Sequence, residues 1–234
     1  MAAPTFEEYT GGSTANGGSV SLAVPAGISA GDVLVAVVSH QSWGQPITGL
    51  PSGWTTIYNG PSPASGYDHW TYFGYKIATG SESGSFTWSH GGTADDYWAA
   101  SMVRYSGCDG VDVTGYTLDG GTPRQSPSIT TTVDDCRIVG GISTENPATT
   151  VSGPSGMTNR GVSNPGTTTW YPQTSLADTT QATAGATGTF TWAGGDTNEN
   201  DTLTIAIKPA AAAGGAPKLV GGCPFRLVNG ALAV

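Results

Sequence analysis

The chain is written twice. Gly31-Asp32-Val33-Leu34-Val35-Ala36-Val37-Val38-Ser39 is echoed by Asp134-Asp135-Cys136-Arg137-Ile138-Val139-Gly140-Gly141-Ile142 at an offset of 103 residues. Pro51-Ser52-Gly53-Trp54-Thr55 returns as Pro154-Ser155-Gly156-Met157-Thr158 at the same offset. Ala78-Thr79 with Gly84-Ser85-Phe86-Thr87-Trp88 recurs as Ala182-Thr183 with Gly188-Thr189-Phe190-Thr191-Trp192, one residue further on. Ser101-Met102-Val103-Arg104 and Ile205-Ala206-Ile207-Lys208 close the two copies. Repeated blocks in one order at one spacing mark a duplicated structural unit. The fold must therefore be one that can be assembled from two similar parts.

Each block reads as β-structure. Ser19–Val24 alternates apolar and small polar residues, the period of a half-buried strand. Val33–Val38 is continuously apolar, as in a central strand buried on both faces. His69–Ile77 is aromatic and β-branched, and Ser85–Trp88, Trp98–Tyr105, Ile129–Val133, Ile138–Ile142, Thr189–Trp192 and Thr202–Ile207 follow. Gly, Pro, Asp and Asn clusters separate these runs, which assigns the 36 glycines and 15 prolines to turns. No segment carries the i, i+3, i+4, i+7 pattern of an amphipathic helix. About four strands per copy are too few to close a core alone. The expected fold is all-β: a jelly-roll-like antiparallel β-sandwich built from two similar half-repeats, with an extended C-terminal tail.

Within that scheme residues 1–17 form an N-terminal arm or first strand, and the repeats cover about 18–105 and 127–208. Ser106–Pro127 is too strand-like, at Val111–Leu118, to be a plain linker. Residues 210–215 are a small-residue linker to an apolar segment at 216–234. That segment offers Leu219, Val220, Phe225, Leu227 and Val228 for docking, either on its own domain or on another subunit, and the spacer favours the second.

Charge narrows the partners. The formal net charge is −9, and residues 1–209 hold 6 bases against 17 acids while 210–234 carry only Lys218 and Arg226. With no cluster of Lys and Arg, a nucleic-acid partner is not expected. The first eight residues have neither a basic n-region nor an apolar h-region, so no secretory signal is read there, and no apolar run reaches membrane-spanning length. Cys108, Cys136 and Cys223 lack CxxC spacing; buried reduced thiols are preferred over a Cys108–Cys136 disulfide.

With these blocks in view, the chain resembles a widespread phage and prophage family of jelly-roll virion proteins. The resemblance is carried over residues 18–209 by VPAGISAGDVLVAVVS, PSGWT, YKIAT and GSFTWS, then SITTTVDDCRIVGGIST, GPSGMTNR, SLADTTQATAGATGTFTWAGG and LTIAIKP. It implies a non-enzymatic structural protein of a bacteriophage particle, as capsid decoration or tail-associated protein, on the virion surface and assembled in the host cytoplasm. It also implies other virion proteins as partners and a homo-oligomer on the particle; no nucleic acid, membrane or cofactor is expected from the residues. No catalytic residues belong to the pattern, and the tail after Pro209 lies outside it.

Residue chemistry leaves two lesser candidates. Asp196, Asn198 and Asp201 follow the second Phe-Thr-Trp block, and Asp95-Asp96 the first, where alternating oxygen ligands would suit Ca²⁺. Turn chemistry is the preferred reading of both, since Asp and Asn side chains cap turn backbone. Aromatic residues could instead form a sugar-binding platform: Trp43, Trp170 and Tyr171 are the least explained by core packing, with Trp70, Tyr72 and Trp98 as further members. Trp54, Phe86, Trp88 and Trp192 recur in the repeat and read as core. The histidines, His40, His69 and His90, show no metal-binding spacing and are expected in solvated loops.

Overall fold

A computed structural model describes residues 1–41, 45–63, 69–92, 96–119, 122–145, 149–166, 171–194 and 200–211. Every named element among them is a β-strand. The first repeat contains β1 (Thr5–Thr14), β2 (Ser19–Ala23), β3 (Val33–Gln41), β4 (Ile47–Gly49), β5 (Thr55–Pro61), β6 (His69–Ile77), β7 (Ser85–His90) and β8 (Tyr97–Ser106). The second contains β9 (Cys108–Asp119), β10 (Gln125–Ser126), β11 (Cys136–Thr144), β12 (Thr158–Ser163), β13 (Gln173–Gln181), β14 (Phe190–Thr191) and β15 (Asn200–Pro209).

The two repeats share one topology. In the first, a five-stranded antiparallel sheet ordered β1-β8-β3-β6-β5 faces a three-stranded sheet ordered β2-β7-β4. In the second, β9-β15-β11-β13-β12 faces the β10-β14 pair, which single bridges at Thr130–Ala186 and Ser152–Ala193 extend. Each repeat is thus a jelly-roll sandwich of its own, and the expected four strands per copy are corrected to about eight. β1 falls within residues 1–17, expected as an arm or first strand, whereas among the strands that escaped the sequence pattern β4 has three residues and β13 reads Gln-Thr-Ser-Leu-Ala-Asp-Thr-Thr-Gln. Ile129–Val133, expected as a strand, contributes only the Thr130 bridge, although Ile129 is buried. The connection after Ser106 is a one-residue turn at Gly107 (φ 69°), so the strand-like Val111–Leu118 stretch opens the second repeat. The repeated Pro-Ser-Gly turns place Gly53 and Gly156 at φ 76° and 85°, a backbone region that side chains disfavour. This is a reason for that glycine to stand in both copies.

Strand alternation divides the apolar residues between three layers of core. In β3, Leu34, Ala36 and Val38 face the small sheet of their own repeat, together with Val20, Leu22, Trp88, Trp98 and Met102. Val33, Val35 and Val37 point the other way and meet Val139, Leu176, Leu203, Ile205 and Ile207 of the second repeat. The unbroken apolar run at Val33–Val38 is therefore a strand buried on both faces, as its composition predicts. The second sandwich closes over Ile138, Ala206, Ile142, Ala177 and Trp192, with Met157 touching both of its clusters. Full burial of an aliphatic side chain stabilises by about 1.5–3 kcal/mol. A shared layer of eleven buried residues therefore holds the two sandwiches back to back.

Polar groups are placed in the same seam and are satisfied there. Asp178 of β13 accepts the Tyr105 hydroxyl at 2.6 Å and a two-pronged contact from Arg160 at 2.8 and 2.9 Å. The Arg160 guanidinium also lies 4.0 Å above the Phe6 ring. Ser101 bonds Thr174 at 2.8 Å. Cys108 and Cys136 are both free thiols, half-buried and buried respectively; Cys223 lies outside the described residues.

Candidate functional site

Antiparallel register gathers the long connections at one end of the molecule. Gln41, the last residue of β3, pairs with His69 at the start of β6 and Tyr97 at the start of β8. Thr144, the last of β11, pairs likewise with Gln173 and Asn200. Contacts between Thr71 and Ser143 and between Ser62 and Asp201 bring these ends of the two repeats side by side.

Of the residues singled out from the sequence, Tyr171 and Asp201 belong to this end. Trp43, Trp170, Asp196 and Asn198 lie outside the described residues, as do Leu219, Val220, Phe225, Leu227 and Val228 of the tail. Tyr171 is half-buried, and its ring lies 4.4 Å from that of Tyr97 in the other repeat, at 51°. Asp201 is fully buried rather than in a solvated turn, accepting Thr71 Oγ1 at 2.6 Å and Ser62 Oγ at 3.1 Å. Its hydroxyl partners come from the first repeat, so it joins the seam. Tyr72 and Trp98 are fully buried, and Trp70 is half-buried with its indole N–H donated to Asn59, so these three form no exposed platform. Phe86, Trp88 and Trp192 are core residues, with Trp54 packed against the first two.

The histidines reverse their expectation. His40, His69 and His90 all sit in strands and all are buried. Strand-end positions in sequence looked like loop flanks, but the sandwich closes over them. His69 lies in the seam, with Nε2 2.8 Å from Ser39 Oγ and 2.9 Å from Ser143 Oγ. Burial lowers its pKa to about 3. A serine beside a histidine is the beginning of a nucleophilic dyad. Here His69, Ser39, Ser143 and Thr71 have no solvent-accessible face, and their hydroxyls complete a buried network instead.

His40 and His90 come together from opposite sheets. His40 is the penultimate residue of β3 in the five-stranded sheet, His90 ends β7 in the small one, and Asp96 immediately precedes β8. Asp96 Oδ2 lies 3.3 Å from His40 Nε2 and 3.0 Å from His90 Nε2, the second contact being out of line for a hydrogen bond. Ring centroids are 4.8 Å apart between the imidazoles, 3.9 Å from His40 to Trp98 and 5.6 Å from His90 to Trp98. The three planes are near parallel, with angles of 17°, 19° and 8°. A column of three rings would hold its outer pair much farther apart than this. His40 therefore stacks on the indole, and His90 lies laterally offset from both rings in a near-parallel plane.

The surroundings fix this arrangement. The Trp98 indole N–H donates to Gly17 O at 2.8 Å, Gly17 N–H to Asp96 O at 3.0 Å, and His90 N–H to Gly18 O at 3.2 Å. The β1–β2 turn is thereby tied over the cluster. His90 Nδ1 accepts the Gly92 N–H at 2.9 Å. Burial, reinforced by the neighbouring His90 and His69, drives the His40 pKa down to about 2, against an opposing backbone contact from Gln45. His40 is a neutral imidazole at neutral pH.

Sequence reading missed this cluster because His40 lies 50 residues before His90 and the members share no motif. One signal was present. The repeat alignment puts Ser143 opposite His40 and Gly194 opposite His90, so the jelly roll closes the corresponding corner without imidazoles. Comparison with known proteins brought no match to a protein family, to a curated protein or to a solved structure.

Proposed function

We propose that this chain is a non-enzymatic structural protein of a bacteriophage particle, borne on the virion surface as capsid decoration or as a tail-associated component. The observation that carries the reading is the back-to-back pair of jelly rolls, joined by a shared apolar layer and the Asp178 contacts into one stiff block. Such a block suits a particle component that must hold its shape. The phage-like blocks of the sequence supply this block's strands and turns. Four of the six basic residues before Pro209, namely Lys76, Arg104, Arg137 and Arg160, are engaged in internal ion pairs, which leaves an acidic surface suited to protein rather than nucleic-acid partners. The apolar residues Leu219, Val220, Phe225, Leu227 and Val228 would dock the protein on a neighbouring subunit. A chain ending at residue 211 should fold normally and fail to join particles. Undiminished incorporation of that truncated chain would remove the docking role.

A second reading, a carbohydrate-binding module for host or environmental glycans, draws on one contact. Tyr97 and Tyr171 bring half-buried rings from separate repeats together at the loop-bearing end. Aromatic faces are where sugar rings stack. Binding on an array of host polysaccharides that disappears in Tyr171→Ala would favour it, and an array without signal would eliminate it.

A further inference from the structure

We propose that His40, His90 and Asp96 form a binding site for a first-row divalent cation, Zn²⁺ foremost, which pins the two sheets of the first jelly roll together at the loop-bearing end. Two imidazoles and a carboxylate are a donor set this ion favours, and three protein ligands leave a fourth position for water. Their ligand atoms lie within 4.8 Å of one another. Bonds of about 2.0–2.1 Å in a tetrahedron place neighbouring ligand atoms roughly 3.3 Å apart. The Asp96 oxygen stands 3.3 and 3.0 Å from the two imidazole nitrogens, close to that edge. Both Nε2 atoms thus approach the one Asp96 oxygen, that of His40 in line for a hydrogen bond and that of His90 not.

Alternative roles explain less. A core histidine serving only to fill space would not need a second histidine and a carboxylate at the same point. The second repeat closes the equivalent corner with Ser143 and Gly194, so the fold itself does not demand imidazoles there. The ligands also come from three separate places: the end of β3, the end of β7, and the approach to β8. A bound ion would therefore cross-link the five-stranded sheet to the small sheet and hold the start of β8.

One atomic consequence is specific to this site. The Gly92 N–H bond to His90 Nδ1 places the neutral ring's proton on Nε2. Ligation through Nε2 moves that proton to Nδ1 and breaks the Gly92 bond. Binding must therefore register at the Gly92 amide.

The test is a titration of the tag-free, chelator-treated full chain with Co²⁺, followed by displacement with Zn²⁺. We expect tetrahedral d–d absorption saturating at one ion per chain, a displaced Gly92 amide resonance with Zn²⁺, and a raised Tm that EDTA reverses. Asp96→Asn and His90→Gln should each weaken binding by more than about 100-fold, beyond the cost of outer-shell changes. Absence of the absorption band in the unmodified chain would overturn the proposal, whether or not the variants fold. So would a saturated ion that leaves the Gly92 amide unmoved, or binding that survives both substitutions.

Discussion

Tyr105, in the last strand of the first jelly roll, donates its hydroxyl across the seam to Asp178 of the second at 2.6 Å. Burial first, and then the facing carboxylate, raise the Tyr105 pKa well above the ordinary tyrosine value, so the hydroxyl keeps its proton for this bond. Asp178 is 1% exposed, and Arg160 and Arg137 are its cationic partners, at 2.8 and 3.4 Å. Removing one partner of a buried ion pair costs more than the pair itself contributes, because the remaining group is left desolvated. Arg160→Met should destabilise the chain by about 3 kcal/mol, measured by urea unfolding. Replacing Asp178 together with Arg160 should cost less than the sum of the two single changes. Additive losses would show that the contact is not coupled.

The seam is also sensitive to volume. A Cβ added at Gly141 would stand 2.7 Å from Val37 Cγ2, 3.3 Å from Leu176 and 3.5 Å from Leu203. These atoms belong to both repeats and are fully buried, so none can move aside cheaply. Overpacking of this kind typically costs 1–3 kcal/mol. Gly141→Ala should fall in that range, whereas Gly140→Ala, whose nearest neighbour is the flexible Met157 sulfur at 3.2 Å, should cost less. Equal losses at the two positions would argue against a close-packed seam.

How much of this was legible in the sequence depended on which face a strand presents. Val33–Val38 announced a doubly buried strand because both of its faces are aliphatic. β13 did not, because its buried groups are polar: Thr174 and Asp178 find partners in Ser101 and Tyr105 of the first repeat, while Gln173 and Ser175 bond within their own. The duplication was visible, but the strand count per copy was not, since β4 and β14 are two or three residues long. The His40–His90–Asp96 cluster was hidden by sequence distance. It is the topology that brings the ends of β3 and β7 together.

His69 supplies a pH dependence. Its folded pKa of about 3 lies below the ordinary 6.5, so between these values the unfolded chain binds a proton that the folded chain does not. Stability must therefore be full above pH 6.5 and decline as pH falls towards 3. The loss attributable to this residue is a few kcal/mol. Unfolding free energies measured across that window should fall less steeply in His69→Gln than in the unmodified chain. Parallel curves would place the acid sensitivity elsewhere.

The thiols give a simpler check. Burial pushes the Cys108 pKa up to about 12 and that of Cys136 up to about 11, with nearby aspartates adding to both. The thiolate is the reactive form, so neither should react promptly at pH 8. No more than one of the three cysteines should titrate with a disulfide reagent in the native chain, and all three in denaturant. Rapid reaction of two or more would contradict the packing around Cys108 and Cys136.

A place in a phage particle is the role proposed for this doubled jelly roll. It is tested most directly by quantitative mass spectrometry of particles purified by density gradient from an induced host that carries the gene. The chain should co-purify at a fixed copy number relative to the major capsid or tail protein and persist through washing. Particles that lack it, while the protein accumulates free in the same lysate, would rule that role out.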